Sequence, residues 1–208
     1  MNWYEDHILP RIIDWTMSHR EVMKIREKFV TGLEGKTLEV GFGSGLNLPF
    51  MPEAVTRLIA VDPAKLGRKL AKKRLAQFSR PVDFIDLEPS GRLPLEDSSV
   101  DSVLSTFTLC TIADLNQALE EILRVLKPGG RLVFVEHGLS PEPHIQKWQM
   151  RINPCQKCIG GGCHLNRKID DFIANVGFDL VELNNFYAKG PKPWSYLYQG
   201  WARKPFGN

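Results

Sequence analysis

The chain has 208 residues, of which 43% are hydrophobic and 25% are charged, and its formal net charge is +3. This composition indicates one globular domain, so we expect no second catalytic domain. The four cysteines are too few for a secreted disulfide scaffold. Since no 18-residue apolar run occurs and the charged N-terminus differs from a signal peptide, we expect a cytoplasmic protein without an integral membrane segment.

Basic residues cluster in one predicted helix, at positions 68–74. Such a cluster is typical of a solvated helix face, and the less favoured alternative is a patch that binds nucleic acid or an anionic membrane. We therefore expect no nucleic-acid partner, and the sequence identifies no partner protein.

The N-terminal segment, residues 2–31, has apolar residues at helical spacing. This pattern predicts two helices, the second with Ser18 as its N-cap. We expect residues 1–31 to form a helical cap that covers the sheet edge. The alternative, compatible with the first, is that the cap closes over a ligand with its aromatic and histidine side chains, Trp3, Tyr4, His7 and Trp15.

A glycine-rich turn follows the first predicted strand, which covers residues 36–40. Glycines at alternate positions, Gly41, Gly43 and Gly45, turn the backbone abruptly. Because glycine has no Cβ, a bulky cofactor can lie against such a turn. Glu39 adds a carboxylate beside it. The glycine pattern alone is equally typical of a plain turn.

A carboxylate at the end of the second predicted strand favours a bound nucleoside. This hydrophobic run, residues 57–61, ends at Asp62, and a helix over residues 64–78 is predicted to follow. A carboxylate in this position, beside a glycine turn, binds the ribose diol in doubly wound folds. Leu46 stands where a nicotinamide-binding loop has Gly or Ala, and the sequence lacks a Gly-Lys-Ser/Thr phosphate loop. The ligand that remains is an adenosine without a pyrophosphate, such as S-adenosylmethionine.

The rest of the chain alternates between predicted strands and helices, which indicates an α/β fold. Strands are expected at residues 81–86, 100–105, 131–135, 180–187 and 196–203, and a helix at 113–125. The last two strands are expected to form an antiparallel edge. Thr106 and Phe107 follow the fourth strand, and Glu136 and His137 follow the fifth, so the topology places all four at the carboxyl edge where ligands bind.

Residues 138–168 lie between the fifth strand and the last helix, where such folds often insert substrate-binding parts. Cys155, Cys158, Cys163 and His164 could supply four ligands to a tetrahedral zinc ion, although the adjacency of the last two strains simultaneous ligation. A redox-sensitive pair of Cys155 and Cys158 is a second alternative. Ordinary thiols in a pocket wall are favoured, so we expect no metal.

Four segments, in this order, resemble the class I S-adenosylmethionine-dependent methyltransferases of the type 11 group. They lie at residues 39–45, 61–63, 93–101 and 123–131. Within that superfamily, residues 105–111, Glu136-His137 and residues 162–167 resemble the branch that contains the membrane-associated thiol S-methyltransferases of animals and their soluble bacterial relatives. The quinone C-methyltransferases are a neighbouring branch.

The resemblance implies one methyltransferase domain over residues 1–208, built on a doubly wound, seven-stranded, mostly parallel sheet with an antiparallel last strand. It implies S-adenosyl-L-methionine as the cofactor. The implied cofactor-binding residues are Glu39, Gly41, Phe42, Gly43, Gly45, Asn47, Asp62, Pro63, Ser90 and Thr106. At Ser90, expected to contact adenine, the sequence departs from the family's small-acidic pattern.

The implied reaction is methyl transfer to a small-molecule acceptor that is apolar, with a thiol favoured and a quinone-type ring carbon second. His137 is the candidate catalytic base, because an imidazole titrates near neutrality. Glu136, His164, Asn166 and Arg167 are candidate supporting residues. The alternatives from other classes are a cofactor-binding sensor without chemistry and a zinc- or redox-responsive module.

Overall fold

The computed structural model describes residues 3–207. Met1, Asn2 and Asn208 lie outside the described residues, so the ends of the expected 1–208 domain and the start of the expected 1–31 cap are not covered. The helices are α1 Trp3–His7, α2 Leu9–Met17, α3 Arg20–Phe29, α4 Lys65–Leu70, α5 Lys72–Gln77, α6 Leu115–Val125, α7 Pro143–Ile159, α8 Ile169–Asn175 and α9 Lys192–Ser195, with a 3-10 helix at Leu48–Phe50. The strands are β1 Gly35–Val40, β2 Val55–Val61, β3 Val82–Ile85, β4 Val100–Thr106, β5 Leu126–His137, β6 Asp179–Tyr187 and β7 Tyr196–Arg203.

The strands form one seven-stranded sheet in the order β3-β2-β1-β4-β5-β7-β6. Strands β1 to β5 are parallel, and β7 lies antiparallel between β5 and β6. The predicted fold class is therefore confirmed, including the antiparallel last strand. Chain order reverses between β1 and β4, and in open sheets of this kind ligands bind beyond the carboxyl ends of the strands at such a reversal.

The sheet is buried on both faces because its inner strands alternate between two apolar clusters. In β5, Leu132 and Phe134 belong to one cluster, whereas Val133 and Val135 belong to the other, as the two-residue period of a strand requires. The helical side chains that cover these faces include Leu119, Ile122 and Ile173 on the first and Ile25, Phe29 and Leu75 on the second. This double coverage fixes the strand ends that carry the candidate site.

The N-terminal segment differs from its predicted form. It contains three helices instead of two, and Ser18 ends α2 instead of capping α3. The backbone N–H of Ser18 donates to Asp14 O, and its hydroxyl donates to Trp15 O at 3.1 Å, so Ser18 completes the last turn of α2. The helix predicted over residues 64–78 is likewise divided, into α4 and α5, at Ala71. Within residues 3–207, none of the helices combines the length and apolarity needed to cross a bilayer.

The two-sided burial of the central strands predicts unequal effects of the same substitution in different strands. Leu104 in β4 is fully buried, whereas Leu183 in the edge strand β6 is 40% exposed. We expect Leu104→Ala to lower the free energy of unfolding by about 2–5 kcal/mol, because it removes buried methyl groups and leaves a cavity. Leu183→Ala should cost about 0.5 kcal/mol or less. Urea denaturation of both variants measures the difference, and equal losses would contradict the layered core.

Candidate active site

A cavity of about 390 Å³ lies beyond the carboxyl ends of β1, β2 and β4. Seven of the residues expected to bind the cofactor line it: Gly41, Phe42, Gly43, Asn47, Asp62, Pro63 and Thr106. Helix α2 supplies an apolar wall of Leu9, Pro10, Ile13 and Met17. Gly160 and Gly161, after α7, line the cavity as well. The switch point of the sheet, the N-terminal helices and the segment after β5 thus enclose one space.

The glycine turn presents bare backbone to this cavity. Gly43 has φ +54°, and a Cβ built on it would meet no protein atom within 4 Å. A Cβ on Gly45, where φ is +73°, would lie 2.9 Å from Leu48 Cδ1. Both conformations favour glycine, but for different reasons. Gly43 leaves room for a ligand, whereas Gly45 permits tight packing behind the turn.

Asp62 braces the glycine turn from the end of β2. Its Oδ2 accepts a hydrogen bond from Gly43 N at 2.6 Å, and its Oδ1 accepts one from Ala64 N at 2.7 Å. Burial raises the pKa of this carboxyl, and the two backbone N–H groups partly oppose the shift. Because a carboxylate oxygen can accept more than one hydrogen bond, Asp62 retains capacity for ligand hydroxyls.

A buried polar network joins three distant parts of the chain at the cavity. Arg26 of α3 is 4% exposed, and its Nη1 donates to Asn47 Oδ1 at 2.6 Å and to Thr106 Oγ1 at 2.7 Å. Asn47 Nδ2 in turn donates to Glu39 Oε1 at 2.6 Å and to Thr106 Oγ1 at 2.9 Å. Arg26, Asn47 and Thr106 line the cavity, and Glu39 lies outside its wall.

The network carries a positive charge at neutral pH. Burial raises the pKa of Glu39 to about 8, against the hydrogen bond from Asn47 and the charge of Arg26. Burial also lowers the pKa of Arg26, to about 10, while the nearby carboxylates oppose this shift. Near pH 7 the arginine is therefore charged and Glu39 is largely protonated. Among the described residues, Arg26 Nε is buried without a hydrogen-bond partner, and the side chain as a whole lines the cavity, where its charge would attract an anionic group.

Arg26 was missed at the level of the sequence, although a signal was present. It stands between Ile25 and Phe29, on the face of α3 that packs into the core. A charged residue on an apolar helix face is rarely buried without a partner. Its partners, 21 and 80 residues away, could not be read from local spacing.

Four of the expected site residues do not line the cavity. Glu39 is behind Asn47, and Gly45 is part of the packed turn. Ser90 lies in an exposed loop, where its carbonyl oxygen accepts a hydrogen bond from Gln117 Nε2 at 2.8 Å. The ring of His137 packs against Phe107, with 5.1 Å between the ring centroids, and Phe107 lines the cavity.

The cavity wall after β4 is ordered by Glu136, which is fully buried. Its carboxylate accepts hydrogen bonds from Ser105 Oγ at 2.8 Å, Thr108 N at 3.0 Å and Cys110 N at 3.1 Å. Burial raises the pKa of Glu136, and these donors oppose the shift. Phe107 has φ +56°, a strained value for a bulky residue. The loop is thus held in a conformation that it would not adopt on its own.

The cysteines are arranged differently from the zinc set considered in the sequence. Cys155 and Cys158 are exposed on α7, and Cys163 is buried. Among the side chains that the structure describes, the one group with three potential metal ligands consists of Cys110, His137 and Cys163. The set of Cys155, Cys158, Cys163 and His164 is therefore not assembled.

Comparison with known proteins agrees with this geometry. A family model described as "Methyltransferase domain" matches residues 38–134. Thiol S-methyltransferase TMT1B of Rattus norvegicus is 34% identical over 183 residues, which cover 85% of this chain and 72% of that protein. Demethylmenaquinone methyltransferase of Clavibacter sepedonicus is 30% identical, over 54% of this chain and 45% of that protein. The structure of geranyl diphosphate methyltransferase in complex with SAM has a TM-score of 0.70 at 15% identity, covers 89% of this chain and 86% of its own, and shows a shared fold.

The buried carboxyl of Glu39 predicts a specific dependence of stability on pH. Its pKa of about 8 in the folded protein exceeds the ordinary value of 4.5, so the folded state holds this proton more tightly than the unfolded state. The stabilisation is therefore full below about pH 4.5 and is lost as the pH rises through 8. We expect the free energy of unfolding of Glu39→Gln, relative to the native chain, to increase between pH 5 and about pH 9.

Chemical denaturation at a series of pH values measures this difference. Glu34→Gln, which alters an exposed carboxyl of the same type just before β1, is the matched control and should reproduce the native pH profile. Parallel profiles for the native chain and Glu39→Gln would show that the carboxyl of Glu39 is not perturbed.

Proposed function

Since this chain belongs to the class I S-adenosylmethionine-dependent methyltransferases, we propose that it methylates a small, apolar thiol. We favour a thiol acceptor because the similarity to a thiol S-methyltransferase covers more of the chain than the similarity to a quinone methyltransferase. The likeness to the rat thiol S-methyltransferase extends over 85% of the chain, whereas the likeness to the demethylmenaquinone methyltransferase extends over 54%. The apolar wall formed by α2 supports an acceptor of low polarity.

We propose that the cofactor lies along the glycine turn, with its ribose hydroxyls on Asp62 and its amino-acid carboxylate on Arg26. The open space over Gly43 fits a bulky ligand against bare backbone. The spare acceptor capacity of Asp62 fits a diol, and the charge of Arg26, which lines the cavity, fits a carboxylate. Asn47 and Thr106 hold Arg26 in place.

When bound, S-adenosylmethionine supplies a methyl group on a cationic sulfur that is already activated for displacement. The protein's contribution is then alignment of the acceptor and exclusion of water. We assign these tasks to Phe107 and the apolar residues of α2, which line the cavity. The cation–π contact of Arg26 with the Phe107 ring, 5.4 Å from the centroid, links the proposed carboxylate site to this wall.

The expected N-terminal cap and substrate-side insertion, residues 1–31 and 138–168, are proposed to close over the acceptor together. Arg74 connects α2 to the glycine turn, through Asp14 Oδ1 at 3.1 Å and Ser44 O at 3.0 Å. Tyr4 OH donates to Ile159 O at 3.0 Å, which joins α1 to the end of α7. These contacts support a lid built from the N-terminal helices and the segment after β5.

The catalytic role of His137 also stays a prediction. A thiol must lose its proton before it attacks, and an imidazole is a suitable base. Direct contact between His137 and an acceptor would require a displacement of Phe107, whose ring packs against the imidazole. A base role would therefore be tested by comparing His137→Ala with the native enzyme on thiols of high and low pKa. Only the thiol of high pKa should depend on a base.

The cofactor contacts can be tested separately with two ligands, S-adenosylhomocysteine and methylthioadenosine, which lacks the amino-acid group. Asp62→Ala should weaken the binding of both by about tenfold or more, since a charge-assisted hydrogen bond contributes about 1.5–3 kcal/mol. Arg26→Lys keeps the charge but loses the planar guanidinium. It should weaken S-adenosylhomocysteine by about tenfold and leave methylthioadenosine nearly unchanged.

Calorimetric titration gives the affinities. The matched control is Asp179→Ala, which removes an exposed carboxylate from β6. If a folded Asp62→Ala protein bound both ligands with unchanged affinity, the assignment of the ribose hydroxyls to Asp62 would be wrong. If Arg26→Lys lowered the affinity for both ligands equally, the assignment of the amino-acid carboxylate to Arg26 would be wrong.

The acceptor is tested by product mass. We expect incubation with S-adenosylmethionine and a panel of aliphatic and aromatic thiols to give products heavier by one methylene group, and S-adenosylhomocysteine in equal amount. A demethylated quinol supplied at the same concentration should remain unmethylated. Methylation of the quinol with no thiol product would replace the proposed acceptor by a quinone-type ring carbon. Binding without turnover on either class would favour a sensor.

A further inference from the structure

Three side chains from separate segments converge behind the cavity wall. Cys110 lies in the loop after β4, His137 ends β5, and Cys163 follows the turn after α7. One potential ligand atom from each lies within 4.8 Å of the others. Cys110 is fully buried and Cys163 is 5% exposed, in a small apolar cluster with Leu165. None of the three lines the cavity.

The distances suit ligands around one metal ion. The two Sγ atoms are 3.7 Å apart, and Cys163 Sγ is 3.8 Å from His137 Nδ1. With Zn–S near 2.3 Å and Zn–N near 2.0 Å, neighbouring ligands of a tetrahedral zinc ion are separated by about 3.5–3.8 Å. In a disulfide the two sulfur atoms are about 2.0 Å apart. The observed Sγ–Sγ distance is much closer to the distance between two thiolates that bind the same zinc ion.

The backbone of Cys110 is fixed by contacts that do not involve its thiol. Its N–H donates to Glu136 Oε2 at 3.1 Å, and its carbonyl oxygen accepts from His164 N at 2.8 Å. Arg167 Nη1 donates to Leu109 O at 3.0 Å and to Ile112 O at 2.7 Å. These bonds position the first ligand before any ion binds, which reduces the entropic cost of binding.

The turn that carries Cys163 is fixed as well. Gly162 has φ +87°, and a Cβ at this position would lie 2.7 Å from Thr111 O. Glycine thus lets the two segments approach closely enough to bring Cys163 beside Cys110. On the other side, Leu165 N donates to Asn153 Oδ1 at 2.9 Å. Both cysteines are therefore held by surrounding backbone contacts.

We propose that Cys110, His137 and Cys163 bind one zinc ion, with the fourth coordination position open. Two thiols and one imidazole are ligands that zinc accepts, and the pair of thiolates balances its charge. Binding releases the two thiol protons to solvent. With Nδ1 on the ion, the imidazole retains a proton on Nε2 and has no free lone pair. Zinc binding and the base role of His137 are therefore alternatives, and the zinc site does not depend on which acceptor is methylated.

The test begins with the full chain, reduced, stripped with a chelator and dialysed against zinc chloride. We expect elemental analysis to find about one zinc per chain, and zinc to raise the midpoint of thermal unfolding. Cys163→Ser should retain less than about a fifth of the zinc, since it removes one of three ligands, and its midpoint should no longer respond. The Cys155→Ser/Cys158→Ser double variant should match the native chain, because both cysteines are exposed on α7.

Cobalt substitution identifies the ligands without measuring activity. The native chain loaded with Co²⁺ should show thiolate-to-cobalt charge-transfer absorption, and this absorption should be retained in the double variant. A native chain that binds less than about a tenth of an equivalent of zinc would falsify the proposal, whatever the folding of the variants. If the double variant lost zinc and Cys163→Ser retained it, the site would lie on α7. That result would also overturn the proposal.

Discussion

The buried carboxylate of Glu136 holds the loop after β4, and this loop connects the cavity to the cysteine cluster behind it. Three donors from residues 105, 108 and 110 converge on the carboxylate, so the chain turns immediately beyond the strand. The turn places Phe107 against the cavity and Cys110 behind it. Arg167 pairs with carbonyl oxygens of the same loop, at residues 109 and 112. The carboxylate of Glu136 and the guanidinium of Arg167 thus pair with backbone N–H and C=O groups of a strained loop that has little regular secondary structure.

The Arg26 network, next to this loop, shows how burial and pairing compete. Burial disfavours both charged forms, which is why the pKa of Glu39 rises and that of Arg26 falls. Arginine retains its charge because its ordinary pKa is so high, whereas the glutamic acid takes up a proton near neutral pH. The outcome is a positively charged Arg26 beside the neutral side chains of Asn47 and Thr106, in a cavity that Asp62 also lines. Arg26 suits an anionic part of a ligand, and the apolar wall of α2 suits the rest.

The site also shows why different parts of the chain are needed for one cavity. The glycine turn and Asp62 come from the sheet, the apolar wall comes from α2, and Gly160 and Gly161 come from beyond α7. Hydrogen bonds from Arg74 and Tyr4 connect these parts. The proposed zinc ligands lie directly behind the same wall, since Phe107 packs on His137. The loop after β4 would then separate the cavity, which Phe107 lines, from the proposed metal site, to which Cys110 contributes.

The fold class, the glycine turn and a carboxylate at the end of β2 could be predicted from the sequence, because strand periodicity, glycine conformation and strand-end residues are local features. The family was indicated by the resemblance of four motifs in one order. Seven of the ten residues that were predicted to bind the cofactor line the cavity. The contacts between distant side chains could not be predicted in this way. Arg26 joins Asn47 and Thr106 across 21 and 80 residues, and Cys110 meets Cys163 across 53. The Cys155–Cys158 spacing, by contrast, falls on an exposed face of a helix. Side-chain convergence depends on how whole elements pack, and no local pattern encodes that packing.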